Sequence, residues 1–589
     1  MKDFFKYVTA TIVGLFVFGI IITLLGVMSL VGMVAANDST KDVAKNSVFV
    51  LNLSGTIQEQ GQGNFLGELT GNTLNNLGLD QILSGIRKAK DNDHIKGIYI
   101  EAGMLQSSYA TLQEIRNALQ DFKKSGKWIV AYADTYTQGT YYVSSVANKI
   151  YVNPQGMLDW HGLASQPIFI KDVAAKFGVR FQVVKVGAYK SATEMFTEEH
   201  MSEPNRQQVT AFINGTWQNV CNAVAQSRGI NVDSLNVYAD RLLAFESAVN
   251  LKRYKLVDDM IYSEDVKKKV KKLLGIDDGD AISQLSVADM VNVPQKAEGD
   301  EVAVYYAQGA IVQNAAAGLF SQEAQIISTK ICKDLEGLMN DDDVKAVVIR
   351  VNSGGGDAYA SEQIWHQVAQ LKTKKPVVVS MGDYAASGAY YMSCVADWIV
   401  AQPTTLTGSI GIFGVIPDYS ELVTQKLGVK FDEVKTNKNS GFGNIMARPL
   451  NADEISVFKA YINRKYQLFR KRVADGRHIS VAEVERIAQG HVWLGQDALK
   501  NKLIDQLGGL STAVAKAAQL AKIKKYHMSE YPAVPDFFDQ IFSSVSRGSY
   551  LDEQLRITLG DFYEPFTLIR KLNQREAVQA ALPFYLNMR

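Results

Sequence analysis

Three regimes of apolar and polar spacing divide the chain. In the first, residues 7–36 carry no charge and are nearly all apolar (they include IVGLFVFGIIITLLGVMSLVGMVAA). A secretory signal has an apolar region of ~7–15 residues, whereas a membrane-spanning helix needs ~20. The length therefore predicts one retained transmembrane helix within residues 1–36. A long cleaved signal is the alternative, because VAA before Asn37 has the small residues a signal peptidase accepts. Lys2 and Lys6 precede the run and are offset only by Asp3. The positive-inside rule then leaves the short N-terminus in the cytoplasm and everything after Asn37 outside it.

The second regime consists of short β-branched runs such as VAVYYA, AVVIRV and PVVVSM, separated by helical stretches such as SEQIWHQVAQLKTK. Strands alternating with helices predict an α/β fold with parallel strands. This regime occurs twice. ADTYTQGTYYVSSVANKIYVNP (133–154) lines up with GDYAASGAYYMSCVADWIVAQP (382–403). IKGIYIEA (95–102) matches VKAVVIRV (344–351), and KFGVRFQVVKV (176–186) matches KLGVKFDEVKT (426–436). Several blocks in one order at a nearly constant offset indicate a duplicated domain rather than a solenoid. The expected units are 37–275 and 301–525, joined by an acidic and polar linker at 276–300. The third regime, 526–589, has no counterpart in the first half. Its clusters DFFDQIF, DFYEPFTLI and ALPFYL predict a packing or assembly surface.

Composition adds mainly exclusions. The 589 residues are 47% apolar and 21% charged, which is ordinary for globular domains. A net charge of +1 leaves no electrostatic footprint for nucleic acid. The basic run VKKKVKK (266–272) fits the solvated face of a short helix. Three cysteines cannot form a disulfide framework, and their spacing fits no zinc motif. Seven scattered histidines contain no HExxH pair, so neither a metal nor another cofactor is expected.

The chemistry is read from where the halves differ. After AVVIRV the second half has NSGGGDAYAS (352–361), whereas the first has GMLQSSYAT (103–111). Consecutive glycines let backbone N–H groups approach an anion, although a tight turn is the plainer reading. Ser387 sits between two alanines and Gly388, and the aligned first-half position is Gln138. A glutamine cannot be a hydroxyl nucleophile. The glycine loop and the serine are thus present together in one half and absent together from the other. This pairs a nucleophile with oxyanion donors. His366 falls in a predicted helix, which argues against a Ser–His–Asp triad. The alternative base is a lysine made neutral by burial. Lys190, beside Tyr189, Ser191 and Ala192, is the candidate; Lys438 competes, because a two-residue slip aligns it with Lys190.

The blocks VNSGGGDAYAS, MGDYAASGAYYMS, TLTGSIGIFGV and GAYKSATEMFTEEHMSEPNR resemble those of the signal peptide peptidase, or protease IV, family of membrane-attached bacterial serine proteases. The likeness extends over residues 40–525, matches the long, duplicated form and includes the N-terminal anchor. It implies two tandem Clp-protease/crotonase-like domains and a Ser–Lys dyad split between the halves. Ser387 becomes the nucleophile and Lys190 the general base, with the Gly355 and Gly388 N–H groups as oxyanion donors. Ser409 in TGSIG either orients Lys190 or caps a turn. Gly354 stands where the family often has proline, and Ala389 where a second glycine is common. The resemblance also implies peptide substrates, chiefly cleaved signal peptides, and a homo-oligomer, expected as a tetramer. The implied location is the bacterial cytoplasmic membrane, with the body on its outer side. Two rival readings remain: a crotonase-like acyl-coenzyme A enzyme and a catalytically inactive membrane scaffold.

Overall fold

The computed structural model describes residues 6–7, 14–19, 21–22, 40–61, 76–295, 297–314, 324–533 and 578–581. Most of the apolar N-terminal run therefore lies outside the described residues, as do 534–577 and 582–589 of the C-terminal stretch. No helix among the described residues is long and apolar enough to cross a membrane.

Each half builds a parallel sheet. In the first, the strand order is Asn76–Gly78, Ser47–Gln58, Ile95–Gln106, Trp128–Tyr136, Lys149–Leu158 and Asp259–Met260. In the second it is Val492–Leu494, Leu406–Gly408, Val377–Ala386, Val344–Ser353, Asp300–Gln308 and Tyr526–Tyr531. Only the Val492–Leu494 edge of that path runs antiparallel. Both faces are covered, which explains the nearly unbroken apolar runs. Along Asp300–Gln308, Ala303, Tyr305 and Ala307 enter the main core. Val302, Val304 and Tyr306 face the helix Leu510–Leu520 through Ala513, Val514 and Ala517. The first half repeats this on the helix Ser263–Leu274, which buries Val266, Val270 and Leu274 and leaves its lysines outward.

Two stretches outside the alternating pattern join these sheets. Within 276–300, Gln284–Leu285 pairs with Ser47–Gln58. Met290, on the next helix, is fully buried in the first core. Tyr526–Tyr531 extends the second sheet beside Asp300–Gln308.

The halves interlock through a third, mixed sheet. Arg180–Lys185 of the first half pairs antiparallel with Phe413–Asp418 of the second, from Phe413 opposite Lys185 to Asp418 opposite Arg180. The helix Glu203–Arg228 also crosses over, setting Val209 and Phe212 against Leu406, Val492 and Leu494. Gly215 permits that approach, because a Cβ there would sit 2.3 Å from Leu494 Cδ1. A buried ionic cluster adds polar specificity. Arg350 Nε donates to Glu59 at 2.8 Å, its Nη2 donates to Glu114 at 3.0 Å, and Asn352 Nδ2 donates to Glu59 at 2.7 Å. Both acids come from the first half, and both donors lie on the strand that leads into the glycine loop.

Removing Glu59 takes one of the two carboxylates from the buried Arg350, leaving Glu114, and strips Asn352 of its 2.7 Å acceptor. We expect Glu59→Ala to lower the unfolding free energy by about 3 kcal/mol or more, measured by urea denaturation. A change within ~0.5 kcal/mol, the level of ordinary surface substitutions, would contradict the role given to this cluster.

Candidate active site

Ser387 ends the strand Val377–Ala386 and opens the helix Gly388–Ser393. Its backbone is at φ +58° and ψ −115°, a conformation that costs a non-glycine residue about 1–3 kcal/mol and persists only where the surroundings impose it. They do so here. The Ser387 N–H donates to Gly408 O at 2.8 Å, and Tyr391 N–H donates to Ser387 O at 2.8 Å. Ala385, Ala386 and Ala389 pack around the corner with no exposure. Gly388 begins the helix, so its N–H has no partner within that helix.

Lys190 reaches this corner from the first half. It follows Arg180–Lys185, the strand annexed by the second half's mixed sheet. Its Nζ lies 2.8 Å from Ser387 Oγ and 2.9 Å from Ser409 Oγ, and it donates to Ser409 O at 3.1 Å. The Phe413 ring centroid is 5.8 Å away. The side chain is fully buried, and burial pushes its amine well below the usual lysine range. Glycine shapes the slot: a Cβ at Gly490, where φ is +80°, would lie 2.6 Å from Lys190 Cβ. Lys438, the competing base, is exposed and bonds Asp453 at 2.6 Å. His366 is exposed on the helix Ala358–Lys372.

The other expected residues sit around the pair. Gly355 has φ +95°, and its N–H donates to Ser353 Oγ at 3.1 Å. Gly356 lies so close to the next strand that a Cβ would fall 2.1 Å from Ile311 O. The strand Gly355–Asp357 packs beside the serine's helix. Ser409 has φ +49° and its N–H donates to His491 O at 2.7 Å, so its loop is fixed from the strand side. Among the described residues, no group of His, Cys, Asp and Glu could hold a metal ion.

At the equivalent corner of the first half, an amide fills the place of the hydroxyl. Gln138 Nε2 donates to Tyr109 OH at 2.9 Å and to Gly162 O at 3.1 Å. Its Oε1 accepts from His161 N at 3.1 Å and Gly162 N at 3.0 Å. All four bonding positions of that amide are taken.

Reasoning from the sequence missed a buried polar cluster behind Lys190. Ser191 Oγ donates to Asn205 Oδ1 at 2.9 Å, and Asn205 Nδ2 donates to Glu194 at 3.0 Å. Gln208 joins them and is 1% exposed. The available signal was the density of polar residues in KSATEMFTEEHMSEPNRQQ, which reads as a surface unless the second half is known to cover it.

Residues 121–277 and 369–524 each match Peptidase family S49. Protease 4 of Salmonella typhi is 33% identical over 558 residues, covering 92% of this chain and 88% of its own. Protease 4 of Haemophilus influenzae is 34% identical over 482 residues, covering 78% and 75%. The chloroplastic serine protease SPPA of Arabidopsis thaliana is 31% identical over 515 residues, covering 85% and 74%. Together with an α/β fold made of two copies, these likenesses define a serine peptidase. The chain belongs to peptidase family S49, in a form that carries the domain twice.

A buried amine with a lowered pKa is a liability for the fold. Between its folded pKa and 10.5 the unfolded chain holds the extra proton, so stability rises with pH across that window. Below the window, protonated Lys190 carries its full burial penalty. Lys190→Met should therefore melt above the parent at neutral pH, with the gap closing as pH approaches 10.5. A variant that melts lower, by an amount independent of pH, would contradict this.

Proposed function

We propose that this chain is a membrane-anchored endopeptidase working through a Ser–Lys dyad. The observation that carries the reading is the 2.8 Å separation of Lys190 Nζ from Ser387 Oγ, across 197 residues of sequence and two domain copies. That distance is within reach for direct proton transfer. Neutral Lys190 takes the Ser387 proton as Oγ attacks the peptide carbonyl. The resulting oxyanion lies against the N–H groups of Gly388 and Gly355, the latter exchanging its Ser353 partner for the developing charge. The lysine then returns the proton to the leaving amine, and water resolves the acyl-enzyme by the same route. Ser409 holds Nζ in place by two contacts, at 2.9 and 3.1 Å. Losing one oxyanion donor would cost about 3–4 kcal/mol of transition-state stabilisation.

A path for an extended peptide is marked by the chain itself. Val578–Ala581 runs antiparallel to Gly355–Asp357 on one side and to Phe413–Gly414 on the other. A substrate in that slot gains main-chain hydrogen bonds from both rims, the mode of strand addition. Apolar peptides, cleaved signal peptides among them, are the proposed substrates, consistent with an apolar segment at 7–36 that would tether the body outside the cytoplasm. The proposal includes a Clp-protease/crotonase-like architecture in each half, a homotetramer, and residence in a bacterial cytoplasmic membrane. Support for these finer points is the sequence resemblance.

Ser387→Ala and Lys190→Ala should each lower kcat/KM on a fluorogenic apolar peptide by about 10³-fold or more, while Lys438→Ala leaves it near the parent value. A fluorophosphonate probe should label Ser387 alone. Because the base acts in its neutral form, kcat/KM should rise with pH along a limb whose midpoint lies below 10.5. Full activity in Lys190→Ala, or labelling at another serine, would overturn the dyad.

A further inference from the structure

The helix Glu203–Arg228 begins directly behind the Lys190 turn, and one of its side chains touches both halves of the molecule. Gln208 Nε2 donates to Tyr189 O at 3.0 Å and to Ser191 Oγ at 3.1 Å, the residues on either side of Lys190. Its Oε1 accepts from Val492 N–H at 3.2 Å. Val492 is laddered to Gly408, next to Ser409. Its neighbour His491 accepts the Ser409 N–H through its carbonyl at 2.7 Å. Ser409 in turn holds Lys190 Nζ. The contacts form a closed circuit: from the amide to the lysine turn, through the amine to Ser409, along the facing strand and back to the amide.

The chemistry of that position is demanding. It needs donors toward Tyr189 O and Ser191 Oγ and an acceptor toward Val492 N–H, all inside the protein. A carboxylate lacks the donors, and an apolar side chain strips a bond from each of these groups, leaving Tyr189 O with the Ser191 N–H and Ser191 Oγ with Asn205 and taking the Gln208 acceptor from Val492 N–H. The titratable groups around the turn are Tyr189, Glu194 with Lys185 at 3.7 Å, and His491, whose ring is tilted against that of Tyr189 with centroids 4.3 Å apart. Burial pushes His491 down to about 4, so its ring stays uncharged where the lysine would work.

We infer that Gln208 is a positioning residue: it clamps the Lys190 turn onto the second half and so keeps the amine dry and aimed at Ser387. The inference rests on the Ser387–Lys190 reading above. Gln208 acts through Lys190 and Ser409. Loosening the clamp lets water reach the amine, which raises its pKa and misplaces it.

Three full-length variants test it: Gln208→Glu and Gln208→Met, which keep the length of the side chain, and Ser191→Ala, which removes one bond of the circuit. The measurements are kcat and KM across pH, the rate of fluorophosphonate labelling at Ser387, and the melting temperature. We expect the two Gln208 variants to lose about tenfold to a hundredfold in kcat with KM changed less than about twofold. The alkaline-rising limb should move up by roughly half a unit or more, and labelling should slow in parallel. Ser191→Ala should shift the limb in the same direction by less, and it keeps the test decisive if the Gln208 variants do not fold. A limb midpoint unchanged in every folded variant would overturn the inference, as would a loss that tracks only a lower melting temperature. Persistent activity in Ser387→Ala or Lys190→Ala would instead overturn the reading beneath it. Inactive dyad variants alongside an unshifted limb would sink the Gln208 role alone.

Discussion

An amine held 2.8 Å from an alcohol, with both sealed from water, is the arrangement the rest of this molecule maintains. Water reaching the amine would stabilise its charged form and raise its pKa. The features around it are answers to that constraint. Gly490 lets backbone close over the lysine stem where a side chain would collide, and a Cβ at Gly411 would crowd Lys190 Cδ at 3.2 Å. Ser409 satisfies the amine without adding a charge. The strained backbone at Ser387 aims the hydroxyl at the slot, and the surrounding alanines leave little else there.

Because Lys190 and Ser387 come from different copies of the domain, the join between copies sets the distance between them. Arg180–Lys185 is laddered into the second half, and Glu203–Arg228 lies across the second half's edge strands. Arg350 and Asn352 reach back to Glu59 and Glu114 from the strand that feeds the glycine loop. The lysine turn and the glycine loop are thus each braced from the opposite copy. Sliding one half against the other would disturb both together.

Much of the α/β frame was legible along the chain. VAVYYA and AVVIRV read as strands because parallel sheets buried on both faces require apolar residues at both alternations. The duplication was visible because its blocks keep their order, and Ser387 stood out because Gln138 replaces it. Choosing between Lys190 and Lys438 was different. Both follow matching sequence, and local periodicity carries no information about which one is covered. That depends on Arg180–Lys185 pairing with Phe413–Asp418, a contact more than 200 residues apart in sequence. Gln208 and Asn205 were invisible for the same reason: polar residues at the start of a helix look solvated until another domain closes over them. The 276–300 stretch read as a linker because it is acidic and polar, yet Met290 anchors it in the first core.

Gln138 fills the equivalent corner of the first half. Its amide accepts two backbone N–H bonds and makes two donations within the interior, so that corner is a structural knot. A serine in its place would strand the His161 and Gly162 donors in the core. Swapping that amide for a smaller side chain costs the core these bonds, so ordinary core energetics keep the two copies unlike one another at this position.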